Sequence, residues 1–401
     1  MTLILLRYAT NEQYGYYVLV SGGVMIVTSL QGSLIGPAMV NRLSQLGPEG
    51  RADLIGGLYA GQRRILPRLF GLGAVSTFIL WLSHRLDSAT AGLVLVALTA
   101  GWTGLYRQFF RMVSNAYRSA KAALRGDLAY TGLLLGGAVA GIATQSPALV
   151  TLVFMSFGGI ASGLVNSRLQ WREERWNVRA SAKVWRAIAA VGIWPAAGTV
   201  AFWAYNQGYN YLIAGTVNLT AVAALASTRT VMMPVTLIST GINPLMLATV
   251  SGWLTQHGVQ TTRRRVTLAA AAMAALALCY AALFWPLRDF IFTRILHKSF
   301  AQRDLMLLLW WLASVAMVAR DQFINFVLAR VRYRSLTGLT VVNAIIALTV
   351  TFIMVGRIGA AGAAIGVLVG ELVNVLGLIT LSHLEVRRSL TARGNPPEPG
   401  A

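Results

Sequence analysis

The sequence predicts an all-α integral membrane protein built as two matching helical lobes. Three observations carry that expectation. The 401 residues are 56% hydrophobic and only 12% charged, with a mean hydropathy of +0.61, where soluble domains carry about 25% charged residues. Long apolar stretches recur along the whole chain, each near the ~20 residues that a helix needs to cross a bilayer. A segment near the start also returns, without a gap, in the second half.

Eleven apolar stretches emerge, at about 15–40, 65–83, 90–112, 128–144, 147–166, 185–205, 219–248, 267–287, 304–326, 336–355 and 359–382. Gln145, Ser146 and Pro147 read as a tight turn between the fourth and fifth. The long seventh stretch needs a tilt or kink, which Pro234 and Pro244 supply. The opening Met1–Leu6 is too short to cross and lacks the basic region and cleavage site of a signal peptide. It reads as the end of a helix whose beginning is missing. Restoring that helix would give twelve spans, six per lobe.

Charge sets the orientation. With Asn11 and Glu12 outside and the loops alternating, 25 of the 34 Lys and Arg fall inside and 7 outside. Arg229 and Arg320 lie within apolar stretches. That bias follows the positive-inside rule and puts the C-terminus in the cytoplasm. Topology therefore explains the net charge of +21 without nucleic acid. Trp171 to Arg186 mixes Trp, Arg, Lys and Glu and reads as an amphipathic linker helix on the cytoplasmic leaflet. The expected organisation is an N-terminal lobe over 1–170, a linker over 171–186 and a C-terminal lobe over 187–401.

The repeat aligns Leu5–Val40 with Leu212–Leu247 at a constant offset. Asn11 meets Asn218, Met25 meets Met232, Leu30 meets Leu237, Pro37 meets Pro244 and Met39 meets Met246. Both copies run outside to inside, so the repeat is parallel, as in transporters built from two bundles. Small-residue patterns at Gly32/Gly36, Gly132/Gly136, Gly137/Gly141 and Gly362/Gly366/Gly370 predict close helix packing.

Polar groups inside spans are expensive and mark candidate sites. Arg229, flanked by Thr228 and Thr230, is the sharpest candidate for holding an anionic group such as a phosphate, or else pairs with a distant carboxylate. Arg320 and Asp321 read as a polar cluster near a helix end. Glu371 reads as a protonatable group or as the counter-charge of an arginine. Gln31 and Asn218 join them as amides near a polar route. Tyr205, Tyr209 and Tyr211 read first as an aromatic belt. Four scattered histidines and the single Cys279 form no metal or disulfide motif. DxD, HExxH, P-loop and GxSxG patterns are absent, which argues against an enzyme.

The run Leu6–Tyr17, LRYATNEQYGYY, resembles the start of lipid-linked polysaccharide and O-antigen flippases. These form the oligosaccharide-flippase branch of the multidrug/oligosaccharidyl-lipid/polysaccharide (MOP) exporter superfamily. Arg7, Glu12, Gln13, Tyr14 and Gly15 carry the match, and Ala221–Pro234 repeats a related pattern. The resemblance implies a MATE-like two-lobe transporter of the bacterial cytoplasmic membrane that works by alternating access. It implies a cargo of undecaprenyl-diphosphate-linked oligosaccharide for surface or exopolysaccharide synthesis. Membrane lipids and the lipid-linked glycan are the implied partners, with a polysaccharide polymerase and glycosyltransferases alongside. No cofactor is implied, and the coupling ion, Na⁺ or H⁺, is left open. The alternative is a cation-coupled multidrug or metabolite exporter of the same fold. Such a protein would favour acidic cavity residues in its first lobe, and none stands out there.

Overall fold

A computed structural model describes residues 1–43, 46–117, 119–173, 176–179, 182–330 and 333–394. The chain is helical over most of these residues, joined by short turns. Short α1 (Thr2–Tyr8) is followed by α2 (Asn11–Leu43), α3 (Pro48–Leu82), α4 (Ser88–Ala116), α5 (Ala120–Ile142) and α6 (Pro147–Glu173). Then come α7 (Ala182–Thr216), α8 (Leu219–Thr230), α9 (Met233–Phe284), α10 (Arg303–Ala329), α11 (Tyr333–Ile358) and α12 (Ala360–Gly394). A 3₁₀ turn at Trp285–Leu287 and a π-helical turn at Phe290–Ile295 link α9 to α10.

Local chemistry sets several boundaries. Pro48 starts α3, where its missing N–H costs nothing. Asp87 caps α4 by accepting from the Thr90 N–H at 3.1 Å, and Asn218 caps α8 by accepting from the Ala221 N–H at 2.8 Å. Between α8 and α9 the axis bends by 58°. Pro234 falls in the first turn beyond this break, and the Tyr280 hydroxyl donates to the Val231 carbonyl at 2.8 Å. The bend expected in the seventh stretch is therefore an interruption whose exposed carbonyl has found a donor. A second break lies inside α9 at Gly258, where φ is 74° and ψ is 174°. That region of backbone space is essentially glycine-only.

Nine helices among the described residues are long and apolar enough to cross a membrane, or ten if the bent α8–α9 pair is one span. This corrects the expected eleven spans, and the twelve that a restored first helix would give. Counted with the bent pair, the one missing span is α5. It has 23 residues, and any stretch of it long enough to cross includes both Arg125 and Asp127.

The helices group into two compact units, Met1–Val200 and Ala201–Ala401, which divide within α7. In the first, α5 packs on α6, α6 on α4, and α4 on α2 and α3. In the second, α11 packs on α12, α12 on α10, and α10 on α8 and α9. The same order of partners in each unit is what a duplicated six-helix pattern produces. Segment α1 packs against α2, α5 and α6 within the first unit.

The first unit's core joins Ile35, Met39, Leu54, Ile55, Leu58, Phe109, Phe110 and Trp176. Trp176 stacks on Phe110 at 6.0 Å between centroids and meets Tyr59 edge-on at 6.1 Å. Within the expected linker over 171–186, Trp176 is thus buried in the first unit's core. No separate linker helix lies between the end of α6 and the start of α7 among the described residues. Glu174, Arg175, Ala180 and Ser181 of that stretch lie outside the described residues, as do Arg118 and Arg332. The second unit's core gathers Val250, Val266, Ala270, Phe323, Phe326, Val327 and Leu378.

Glycines close the tightest contacts. A Cβ at Gly362 would lie 2.3 Å from the Met354 carbonyl carbon, and one at Gly366 2.0 Å from Thr351 Oγ1. One at Gly370 would lie 2.8 Å from Ala347 Cβ. The ladder on α12 is therefore the face pressed on α11. Gly137 and Gly141 play the same part for α5 on α6. Gly132 and Gly136, by contrast, have nothing within 4 Å and are not a packing face.

Candidate functional site: a buried charge network in the second unit

Arg320 and Asp321 are consecutive on α10. The Arg320 Nη1 donates to both Glu371 carboxylate oxygens of α12 at 2.7 Å, and to the Tyr205 hydroxyl of α7 at 3.1 Å. Its Nε and Nη2 donate to Asp321 Oδ1 at 3.1 and 2.8 Å. Asp321 Oδ2 in turn accepts from Ser239 Oγ at 2.8 Å and Asn243 Nδ2 at 3.4 Å. Asn325 donates to Asn243 Oδ1 at 3.3 Å. Arg320 is 5% exposed and Glu371 2%. Charges this deep survive only when paired and hydrogen-bonded. One guanidinium thus ties α7, α10 and α12 together, and Asp321 extends the tie to α9 just past the bend. Ser239 and Asn243 reach it together because i and i+4 share a helix face.

Arg229 sits on the other side of that bend. Its guanidinium donates to the Asn206 carbonyl at 3.0 Å, to Asn206 Oδ1 at 2.5 Å and to the Tyr209 hydroxyl. It also lies 5.2 Å from the Trp310 ring centre. Among the described residues no carboxylate pairs with it. The hydrogen bonds that position Arg229 thus come from neutral groups, and its charge also acts on Glu371 through space.

The remaining candidates scatter. Asn218 is exposed and spends its carboxamide on capping α8. Gln31 is half-buried on α2, with an Oε1 that has no hydrogen-bond partner among the described residues. In the Leu6–Tyr17 motif, Tyr14 is buried and stacks on Tyr17 at 6.4 Å. Gln13 donates to the Gln145 carbonyl at 2.9 Å. Gly15 is buried, while Arg7 and Glu12 are exposed, Arg7 lying 5.4 Å over the Tyr8 ring. These residues seat the start of α2 within the first unit.

The first unit carries a smaller cluster. Asp127 accepts from Arg107 at 2.7 Å and Arg111 at 3.1 Å, and Arg107 lies 3.7 Å over the Tyr130 ring. Asp127 is well inside α5, not at a helix start as its sequence neighbours suggest. Near the α9–α10 connection, Arg288 and Arg303 alternate with Asp289 and Asp304. Arg288 reaches Asp304 at 3.2 Å, and Arg303 reaches Asp304 at 2.8 Å and also Asp289. Sequence reasoning missed this ring, although RD pairs bracketing one short connection signal it. No group of three His, Cys, Asp or Glu among the described residues is placed to hold a metal ion.

No protein-family profile matches the chain, and no curated protein matches its sequence. Its fold is nonetheless shared with solved structures. A multidrug-resistance MATE-family transporter of the MOP superfamily, in an inward-facing conformation, superposes with a TM-score of 0.77 at 12% identity. That match covers 98% of this chain and 93% of the other. The lipid II flippase MurJ, in an inward closed conformation, also gives 0.77, at 11% identity over 94% and 83% of the two chains. A Vibrio cholerae MATE transporter gives 0.57 at 15% identity over 97% of each. The chain has the all-α, two-lobe, multi-pass membrane fold of these proteins.

Proposed function

We propose that the protein is an alternating-access transporter, not an enzyme, whose cargo is a lipid-linked oligosaccharide bearing an anionic diphosphate. The fold, shared with MATE transporters and MurJ, supports transport. The balance of charge inside the helices supports an anionic cargo and is the observation that carries the reading. Asp127, Asp321 and Glu371 are each held by arginine. Arg229 has no carboxylate within ion-pair distance among the described residues, and Glu371, whose field it shares, is already held by Arg320. A cationic cargo needs an acidic group free to meet it, whereas an anionic headgroup needs the opposite surplus. The N-terminal LRYATNEQYGYY resemblance supports the same cargo. The sugar headgroup would pass through a polar route while the lipid tail stays in the bilayer. A polymerase and glycosyltransferases would supply and consume the glycan.

A second reading, export of drugs or metabolites coupled to a cation, is favoured by a separate observation. MATE transporters outnumber the flippase among the similar solved structures. Purified protein in vesicles decides between the two. One assay follows accessibility of a fluorescent undecaprenyl-diphosphate oligosaccharide from each leaflet, and the other follows efflux of a cationic dye. The flippase reading expects the glycan lipid to move, with Arg229→Ala slowing it about tenfold while membrane insertion is unchanged. Dye efflux without glycan movement establishes the second reading, and unaltered flipping in Arg229→Ala removes the cationic-site argument.

A further inference from the structure

Leu245–Leu287 is one apolar helical path of 43 residues. At 1.5 Å per residue it is ~65 Å long, about twice the hydrocarbon thickness of a bilayer. It is interrupted at Gly258, and Arg263, Arg264 and Arg265 follow within two turns. The basic triplet thus lies near the middle of the path, between the seventh and eighth apolar stretches, on the side that the loop charges assign to the cytoplasm.

The triplet's polar neighbours are imidazoles and an indole. Arg263 Nη1 lies 2.5 Å from His383 Nδ1 on α12. Arg265 Nη1 lies 3.5 Å from His257 Nδ1 and its guanidinium 5.4 Å from the Trp253 ring centre. Each of these two guanidiniums meets an imidazole or an indole, and among the described residues none of the three has a carboxylate partner. Elsewhere in this unit Arg288, Arg303, Arg320, Arg330 and Arg388 all touch carboxylates. The acid on the adjoining stretch of α12, Glu385, is taken by Arg330 at 3.2 Å and Arg388 at 3.0 Å. Three clustered positive charges therefore have no carboxylate partner among the described residues, beside an aromatic side chain suited to the headgroup level.

We propose that Arg263, Arg264 and Arg265, with Trp253, His257 and His383, bind the phosphate of an anionic lipid headgroup on the cytoplasmic face of the second unit. Guanidinium forks match phosphate oxygens two at a time, which a diffuse basic loop does not do. A headgroup phosphate supplies the missing negative charge while its acyl chains lie along the exposed apolar flank of α9, where Leu268 and Leu276 face outward. The lipid would brace the helical path at its Gly258 interruption. This inference does not depend on which cargo the protein carries.

The full chain is tested in nanodiscs of phosphatidylcholine containing increasing phosphatidylglycerol, with retained lipid counted by native mass spectrometry. Wild type is expected to retain phosphatidylglycerol over phosphatidylcholine. The variant Arg263→Gln/Arg264→Gln/Arg265→Gln is expected to lose at least tenfold of that preference. Arg388→Gln, which removes a comparable charge already paired with Glu385, is expected to keep it. If the triple variant does not fold, Arg265→Lys keeps the charge, loses the fork and is expected to weaken retention about threefold. Equal retention by Arg265→Lys and the wild type overturns the proposal, as does an equal loss in Arg388→Gln. Inorganic phosphate displacing phosphatidylglycerol at equimolar concentration also overturns it, because the site would then select free phosphate.

Discussion

Replacing Arg320 with methionine removes a side chain of similar length and leaves its partners behind. Five hydrogen bonds end on that guanidinium: two to Glu371, two to Asp321 and one to Tyr205. The side chains of Arg320 and Glu371 are 6% and 3% exposed, so water cannot take over. Breaking a buried ion pair by deleting one member costs about 3–5 kcal/mol, chiefly because the other charge is left uncompensated. Here two carboxylates lose their cation, so Arg320→Met belongs at the upper end of that range. Set against a stability of about 5–15 kcal/mol, this is a severe loss. The double variant Arg320→Met/Glu371→Leu removes both charges of the pair and should recover the part of the loss owed to Glu371, while Asp321 keeps only Ser239 and Asn243 as partners. The assay is reversible denaturation in mixed micelles, carried through wild type, both single variants and the double variant. A coupling energy of at least about 2 kcal/mol is expected. Additive single effects, or a loss below about 1 kcal/mol in Arg320→Met, would refute the claim that this pair holds α10 to α12.

Other perturbations follow from single features. Gly258→Ala forces a Cβ onto backbone at φ 74° and ψ 174°, and should destabilise by about 1–3 kcal/mol in the same denaturation assay. Gly362→Leu places a side chain where even a Cβ would sit 2.3 Å from the Met354 backbone, and should lower the melting temperature of the detergent-solubilised protein far more than Gly132→Leu, where the space is open. The hydroxyl and the backbone N–H of Thr90 hold the Asp87 carboxyl below its ordinary value. The cap's contribution should therefore be fully present above pH ~3.9 and fade as the pH falls through the lower folded value. Comparing melts of wild type and Asp87→Ala across that range should show their difference shrinking toward acid pH.

What could be read from the sequence was governed by the range of each interaction. The spans follow from local hydropathy, and all but α5 are long and apolar enough as helices. In α5 the apolar run was visible, but Arg125 and Asp127 lie in the same helix and shorten what lipid can cover. Arg320, Asp321, Glu371 and Arg229 stood out because each is a charge in an apolar run. Their partners did not, because 51 residues separate Arg320 from Glu371 and no local periodicity links them. Tyr205 and Tyr209 read as a belt because aromatic clusters near span ends usually are one, yet both hydroxyls accept from arginines. Ser239 and Asn243 were missed although their i, i+4 spacing put two small polar groups on one face. Asn218 reads as an amide near a polar route, and its position before an apolar run also signals the cap it forms on α8. Trp176 misled because a tryptophan among arginines fits an interface as well as a core.

The glycine ladder of α12 carries a consequence for biogenesis. With three successive turns lacking side chains, the last two helices meet backbone to backbone, and little of the seam is left for acyl chains to enter. Such a hairpin should leave the translocon already zipped and join the rest of its bundle as a finished piece.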